Sequence, residues 1–413
     1  MNRREFAKTA LWGAGGMALL DSPASRAAFV EATGNPLQTA ARGKGGALSV
    51  RVGKTVEITK SFCRCWFPTV HRFSNGDLMA TMRMSPDEIN PEGDFSAYCI
   101  SKDQGMSWSR RYTMGAGANV DGAWSQNPRP DGSIWQLYGW TDARLTGDAQ
   151  DLYLTLTQFS QSGMEIRQRR NIPLHMSEPV QMLQAGLSDR RVQDGGLARV
   201  PSAMPWGPII PSRHGGLIAP IYFKVERDPQ YYRVSLLRSD DYGKTCHEGS
   251  TIAAAEHGIK LWPGMGHEGP GETGMARLAD GRLFAIFRTG SDGFMGAAWS
   301  SDDGHNWTSS VQLPYKGVSP HVRRLSSGVL ACSTGRPGPV VLMFSTDGTG
   351  ETWSHITPIF ADHSTCYTDF VEFEPGKLFV VYDSTPYNWN AIPLTDRSSR
   401  NVIYGTFVDV EMN

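Results

Sequence analysis

Six glycines in this 413-residue chain open the same kind of segment, a polar turn followed by a short apolar run. The copies read Ser74-Asn-Gly76-Asp-Leu-Met-Ala, Asp131-Gly132-Ser-Ile-Trp, His214-Gly-Gly216-Leu-Ile, Asp280-Gly281-Arg-Leu-Phe-Ala-Ile, Ser327-Gly328-Val-Leu and Pro375-Gly376-Lys-Leu-Phe-Val-Val. Successive glycines are 56, 84, 65, 47 and 48 residues apart. A turn-plus-strand unit recurring at such intervals marks the blade of a propeller, a four-stranded sheet that cannot bury its own faces. Six copies predict an all-β, six-bladed propeller. The strand-like segments 47–60 and 401–410 are placed to complete one blade from the two chain ends.

A second repeat interleaves with the first. It reads Ser101-Lys-Asp103-Gln-Gly105-Met-Ser-Trp108, Ser239-Asp-Asp241-Tyr-Gly243-Lys-Thr-Cys246, Ser300-Ser-Asp302-Asp-Gly304-His-Asn-Trp307 and, with one inserted residue, Ser345-Thr-Asp347-Gly-Thr-Gly350-Glu-Thr-Trp353. Each copy lies 17 to 25 residues after a blade glycine. The pattern suits a hairpin turn: the Asp carboxylate accepts backbone N–H groups, the Gly takes positive φ, and the Trp packs beneath. The second blade keeps only Phe159-Ser-Gln-Ser-Gly163, and the sixth has no copy.

These turns resemble the Asp boxes, or BNR repeats, of the sialidase superfamily. The resemblance runs from about Ser61 onward. It implies the propeller fold, with the boxes at blade edges away from the pocket, so it speaks to fold and not to reaction.

Composition narrows the partners. A net charge of -1 gives no general attraction to nucleic acid or anionic lipid. Residues 1–32 read as a twin-arginine export signal: Asn2-Arg3-Arg4-Glu5-Phe6-Ala7-Lys8 precedes a weakly apolar run, Thr9 to Leu20, too short and glycine-rich for a stable membrane span. Ser25-Arg26-Ala27 or Val30-Glu31-Ala32 could be cut. No Cys follows for a lipid anchor. Residues 33–46 read as a linker and 47–413 as the propeller, which is expected in the periplasm or outside the cell. The cysteines are Cys63, Cys65, Cys99, Cys246, Cys332 and Cys366. Cys63 and Cys65 would share a strand face, but no further ligands stand at zinc spacing, so reduced, buried thiols are expected and no metal or cofactor is invoked.

Polar residues at equivalent strand ends converge on a propeller's central pocket. Arg83 and Arg288 each lie seven residues after a blade glycine, and Arg336 lies eight after Gly328. Arginines gathered near one axis need an anionic partner. A ligand carboxylate fits the guanidinium fork; the alternative is that each pairs with a carboxylate of the chain itself.

The family resemblance extends to these positions. Sialidases carry a Glu ahead of an arginine across one blade turn, as Glu272 stands to Leu278-Ala-Asp280-Gly281 and Arg288 here. A later arginine precedes the next box, as Arg336 does, and a nucleophilic tyrosine follows, as in Tyr367-Thr368. The resemblance implies Tyr367 as nucleophile and Glu272 as the base that accepts its proton. A neutral tyrosine is not repelled by a sugar that bears a carboxylate on its anomeric carbon. It implies a general acid in the loop after Arg83, where Asp87 is placed ahead of Asp94. The chain departs from the family at the first blade. Sialidases begin it with Arg-Ile-Pro; here Cys63-Arg64-Cys65-Trp66-Phe67-Pro68 puts Trp66 at the arginine's position. Arg64, two residues back, faces the same side about 6–7 Å away, and Trp66 could serve as a stacking platform for a sugar.

The reading is an exported, metal-independent, retaining exo-glycosidase of sialidase type, acting on a terminal acidic sugar of a glycan. Its alternatives are a glycosidase or lyase on a different acidic sugar, favoured by Trp66, and a non-catalytic glycan-binding propeller, disfavoured by the pairing of Glu272 with Tyr367.

Overall fold

The computed structural model describes residues 47–62, 64–84, 95–114, 121–146, 149–160, 165–181, 198–200, 203–291, 293–386 and 400–412. The export segment, Cys63 and the loop holding Asp87 and Asp94 lie outside them. Every regular element among the described residues is a β-strand.

Four sheets have four antiparallel strands each. One joins Cys65–Arg72, Leu78–Met84, Phe95–Ser101 and Tyr112–Thr113. A second joins Thr273–Arg277, Leu283–Phe287, Phe294–Ser300 and Val311–Lys316. A third joins Val318–Arg324, Leu330–Gly335, Val340–Ser345 and His355–Phe360. In the fourth, Asp369–Glu374, Lys377–Asp383 and Arg400–Met412 are completed by Leu48–Phe62, in register from Leu48 opposite Met412 to Phe62 opposite Arg400.

The middle of the chain differs from the separate sheets expected around Gly132 and Gly216. It forms one eleven-stranded sheet. Two antiparallel runs make up most of it. The first is Gly122–Ser125, Ile134–Tyr138, Ala149–Phe159 and Ile166–His175. The second is Gly207–Pro211, Leu217–Val225, Asp228–Ser239 and Cys246–Ala254. Two short parallel contacts join the runs, Gly207–Pro211 against Gly122–Ser125 and Ile166–His175 against Cys246–Ala254. Strand edges that meet side by side share hydrogen bonds, so two neighbouring units fuse.

All six glycine turns join the first strand of a unit to its second, with φ between +72° and +91°, a region that only glycine occupies without strain. The four boxes join third strands to fourth. In each, the serine hydroxyl donates to the Asp carboxylate and accepts the glycine N–H, at 2.8 and 2.8 Å for Ser101, Asp103 and Gly105. Trp108 and Trp353 each donate their indole N–H to the box glycine carbonyl at 3.1 Å. Cys246, in place of a box Trp, is buried against Trp135 and Leu156. Because successive strands alternate direction, glycine turns and boxes share one end of each unit. The starts of first strands and the ends of second strands share the other.

Each unit packs on the next through apolar side chains, for example Val234 and Leu236 on Leu283 and Ala285, then Phe284 and Ile286 on Leu330 and Cys332. The last returns to the first, with Phe379 and Ile403 packed on Leu78 and Met82. First strands lie innermost: His71, Trp124, Gly207, Gly274, His321 and Asp369, one from each, line a single central cavity. The five described cysteines are free and buried.

Candidate active site

The hairpin of Thr273–Arg277 with Leu283–Phe287 continues one pair past its ends: the Arg288 amide donates to the Glu272 carbonyl at 3.1 Å and the Gly271 amide to the Arg288 carbonyl at 3.0 Å. Glu272 and Arg288 therefore stand side by side at the end opposite the glycine turns. The start of Asp369–Glu374, in another sheet, brings Tyr367 to them. Arg288 Nη1 donates to Glu272 Oε1 at 2.8 Å and to Tyr367 Oη at 2.9 Å. Tyr367 Oη in turn donates to Glu272 Oε1. A third sheet supplies the Ser319 amide, which donates to Glu272 Oε2 at 2.9 Å. All three side chains are buried.

This setting holds Tyr367 protonated. Burial pushes its pKa far above the usual phenol value and the Glu272 carboxylate adds to this, while Arg288 and Arg336 oppose it. Burial would lower the Arg288 pKa, but Glu272 and Glu268 outweigh it and keep the guanidinium charged. The arrangement is a neutral phenol with a proton acceptor on one side and a fixed cation on the same oxygen.

Arg336 follows the strand Leu330–Gly335. Its Nη1 donates to Ser291 Oγ at 3.0 Å, its Nη2 donates to the Thr365 carbonyl, and its guanidinium carbon is 5.5 Å from the Tyr367 ring centroid. The Phe67 ring lies 4.2 Å from Tyr367, and Trp206 meets it edge-on at 6.0 Å. Trp206 Nε1 donates to Ser319 Oγ at 3.2 Å. Phe67, Ser319, Arg336 and Cys366 all have positive φ, at 55°, 41°, 63° and 62°. Each such non-glycine residue costs about 1–2 kcal/mol, and four around one phenol mark a place where packing imposes the backbone shape.

Arg83 and Arg64 gather around Trp66. Their guanidinium carbons lie 5.9 and 5.3 Å from its ring centroid, and Arg83 Nη1 is 3.4 Å from Asp121 Oδ2. Trp66 is 1% exposed, so its faces are covered by protein and are not open to stack on a sugar. The Phe67 ring, which packs on Tyr367, lies 5.7 Å away.

Sequence reasoning did not single out Glu268, Trp206, Ser319 or Asp383. Glu268 Oε2 accepts Arg288 Nη2 at 2.7 Å. The run Gly264-Met-Gly266-His-Glu268-Gly-Pro-Gly271-Glu272 holds a signal for it: glycines around a second carboxylate just before Glu272. Asp383 accepts the amides of Thr365 at 2.9 Å and Thr385 at 3.0 Å, and the Thr365 hydroxyl; Thr385 Oγ1 then donates to the Cys65 carbonyl at 2.7 Å. This buried carboxylate ties the segment of Tyr367 to the strand that carries Trp66.

Burial pushes the Asp383 pKa up from 3.8 to about 7, against the pull of its hydrogen bonds. Between those values the folded protein keeps a proton that the unfolded chain has released. Stability therefore falls as pH rises through that window and levels off above it, by at most about 1.4 kcal/mol per pH unit from this group. Urea midpoints measured at pH 5 and pH 7 should show the fall, and Asp383→Asn should remove that share of it. Equal pH slopes in parent and variant would contradict the assignment.

No protein-family model matches the sequence, and no curated protein does. Solved structures match in fold. A protein of unknown function from Dyadobacter fermentans superposes with a TM-score of 0.65 at 18% identity, covering 88% of this chain and 99% of that one. NanB sialidase of Streptococcus pneumoniae superposes at 0.55 and 13% identity, covering 90% and 70%. The GH93 α-L-arabinofuranosidase of Fusarium graminearum, solved with arabinobiose, superposes at 0.53 and 12% identity, covering 87% and 98%.

Proposed function

Because this chain has the fold of the sialidase-like propellers, we propose that it is a retaining exo-glycosidase that removes a terminal sugar from a glycan. In this reading residues 1–32 direct export through the twin-arginine pattern, 33–46 link, and 47–413 form six blades. The eleven-stranded sheet counts as two of them, a count supported by six glycine turns and by six first strands around one cavity.

The chemistry runs in two steps. Tyr367 Oη attacks the anomeric carbon and its proton passes to Glu272. Asp87 gives a proton to the departing glycosidic oxygen, and the sugar is left bound to Tyr367. A water then attacks the same carbon, its proton going to Asp87, while Glu272 returns the first proton to the released phenol. Two displacements retain the anomeric configuration. Arg288 stabilises the phenolic oxygen as charge develops on it.

The observation that carries the reading is the buried set of Tyr367, Glu272 and Arg288, drawn from distant segments and joined through one phenolic oxygen. Replacing a buried ionic set by apolar residues of similar volume is often neutral or stabilising, so stability alone does not account for such a set and function does. Trp66 at the position of the family's first arginine favours a second reading, a glycosidase or lyase on a sugar other than sialic acid.

A panel of aryl glycosides that includes a sialoside tests the proposal, with the product anomer read by NMR before mutarotation. A fluorinated analogue of the sugar that is cleaved should then add one glycosyl unit to the peptide bearing Tyr367, as read by mass spectrometry. Net inversion, or a label elsewhere, overturns the nucleophile assignment. No cleavage across the panel overturns the glycosidase reading.

A further inference from the structure

We infer that the sugar taken at this site is uncharged and that Glu268 enforces that choice, an inference that rests on the glycosidase reading above. A ligand carboxylate needs a guanidinium fork open to receive it. Among the described residues, the arginines near Tyr367 already bond the chain's own groups. Arg288 gives both hydrogens of Nη1 to Glu272 and Tyr367 and one of Nη2 to Glu268, and Arg336 gives one hydrogen from each terminal nitrogen to Ser291 Oγ and the Thr365 carbonyl. Arg83 and Arg64 lie against the enclosed Trp66, with Arg83 also paired to Asp121.

Glu268 is placed to repel an anion as well as to occupy the fork. Its side chain is 36% exposed, whereas those of Glu272 and Arg288 are 7% and 8% exposed, so it is the carboxylate of this cluster that meets solvent. Its position is fixed. The Tyr232 amide donates to the Glu268 carbonyl at 2.8 Å, and a side chain at Gly269 would run into Tyr231 Cβ and the Tyr232 carbonyl at 2.7 and 2.9 Å. His267 Nε2 lies 3.8 Å from Glu268 Oε1, and the Lys224 ammonium feels the same carboxylate. A ligand carboxylate at Arg288 would have to displace Glu268 or sit beside it, like charge against like. The hydroxyls of a neutral sugar can instead donate to Glu268, and the half-buried rings of Phe67 and Trp206 beside Tyr367 suit its C–H face.

The test uses matched pairs that differ only in charge: methyl glycosides of glucuronic, galacturonic and N-acetylneuraminic acid, each against its carboxylate methyl ester. Binding to a Tyr367→Phe protein, which leaves the ligands intact, is read by calorimetry. In the pair that binds best, the ester should bind roughly tenfold or more tightly than the acid. Adding Glu268→Gln, with the melting temperature unchanged, should shrink that ratio to within about threefold. An acid that binds as tightly as its ester in the Tyr367→Phe protein overturns the inference and leaves the glycosidase reading standing. A ratio that Glu268→Gln does not move overturns the role of Glu268. No binding by any pair, together with no cleavage of any aryl glycoside, overturns the glycosidase reading and this inference with it.

Discussion

Tyr367→Phe is expected to lower kcat/KM by roughly 10⁴-fold or more while leaving the protein folded. The substitution removes one oxygen, the atom that would bond to sugar carbon. Neither group bonded to that oxygen, Arg288 or Glu272, can replace it. Glu272 is buried and already accepts from Arg288 and the Ser319 amide, so it is held as a proton acceptor behind the phenol. The ring itself stays packed between Phe67 and Trp206. Glu272 keeps two of its three donors, so the change in stability should stay within about 1 kcal/mol. Steady-state kinetics beside thermal melts check both halves. Activity within tenfold of the parent would sink the nucleophile role; a collapsed melt would show that the hydroxyl serves the fold.

Arg288→Met is expected to destabilise the fold by about 3–5 kcal/mol, the usual result of stripping one partner from a buried ion pair. Among the described residues the arginine is the sole cation that bonds Glu272, and it also bonds Glu268. Met fills most of its volume, so the loss is electrostatic and not a cavity. The double variant Arg288→Met with Glu272→Gln separates the two: with no uncompensated buried carboxylate left, Glu268 being open to solvent, it should recover more than half of the loss in urea denaturation. A single variant as stable as the parent, or a double variant worse than the single, would mean that the pair is not coupled as described.

How far the sequence reveals this molecule depends on the reach of each interaction. The turn glycines are legible because positive φ is a property of one residue. The boxes are legible because serine, aspartate and glycine close their hydrogen bonds within five residues. The offset of 16 between Glu272 and Arg288 is legible because a hairpin fixes which residues face each other. Glu268 is different: its place depends on Tyr231 and Tyr232, some 36 residues away, and local pattern holds no trace of that contact. The covering of Trp66 and the bracing of Thr365 by Asp383 also depend on packing between sheets. The merging of two sheets near Gly132 and Gly216 follows from edges meeting in space, which no periodicity encodes.

The pairing of Leu48–Phe62 with Arg400–Met412 sets the timetable of folding. A ribosome releases the first partner some 340 residues before the second. Until the second emerges, Leu48–Phe62 lacks its strand partner, the outer edge of Lys377–Asp383 stays bare, and the circle of packed sheets is open at one seam. Such contacts between distant residues are slow to form and leave open edges that invite association with other chains. Tyr367 leads into Asp369–Glu374 of the sheet completed last, so its meeting with Glu272 and Arg288 waits on the arrival of Arg400–Met412.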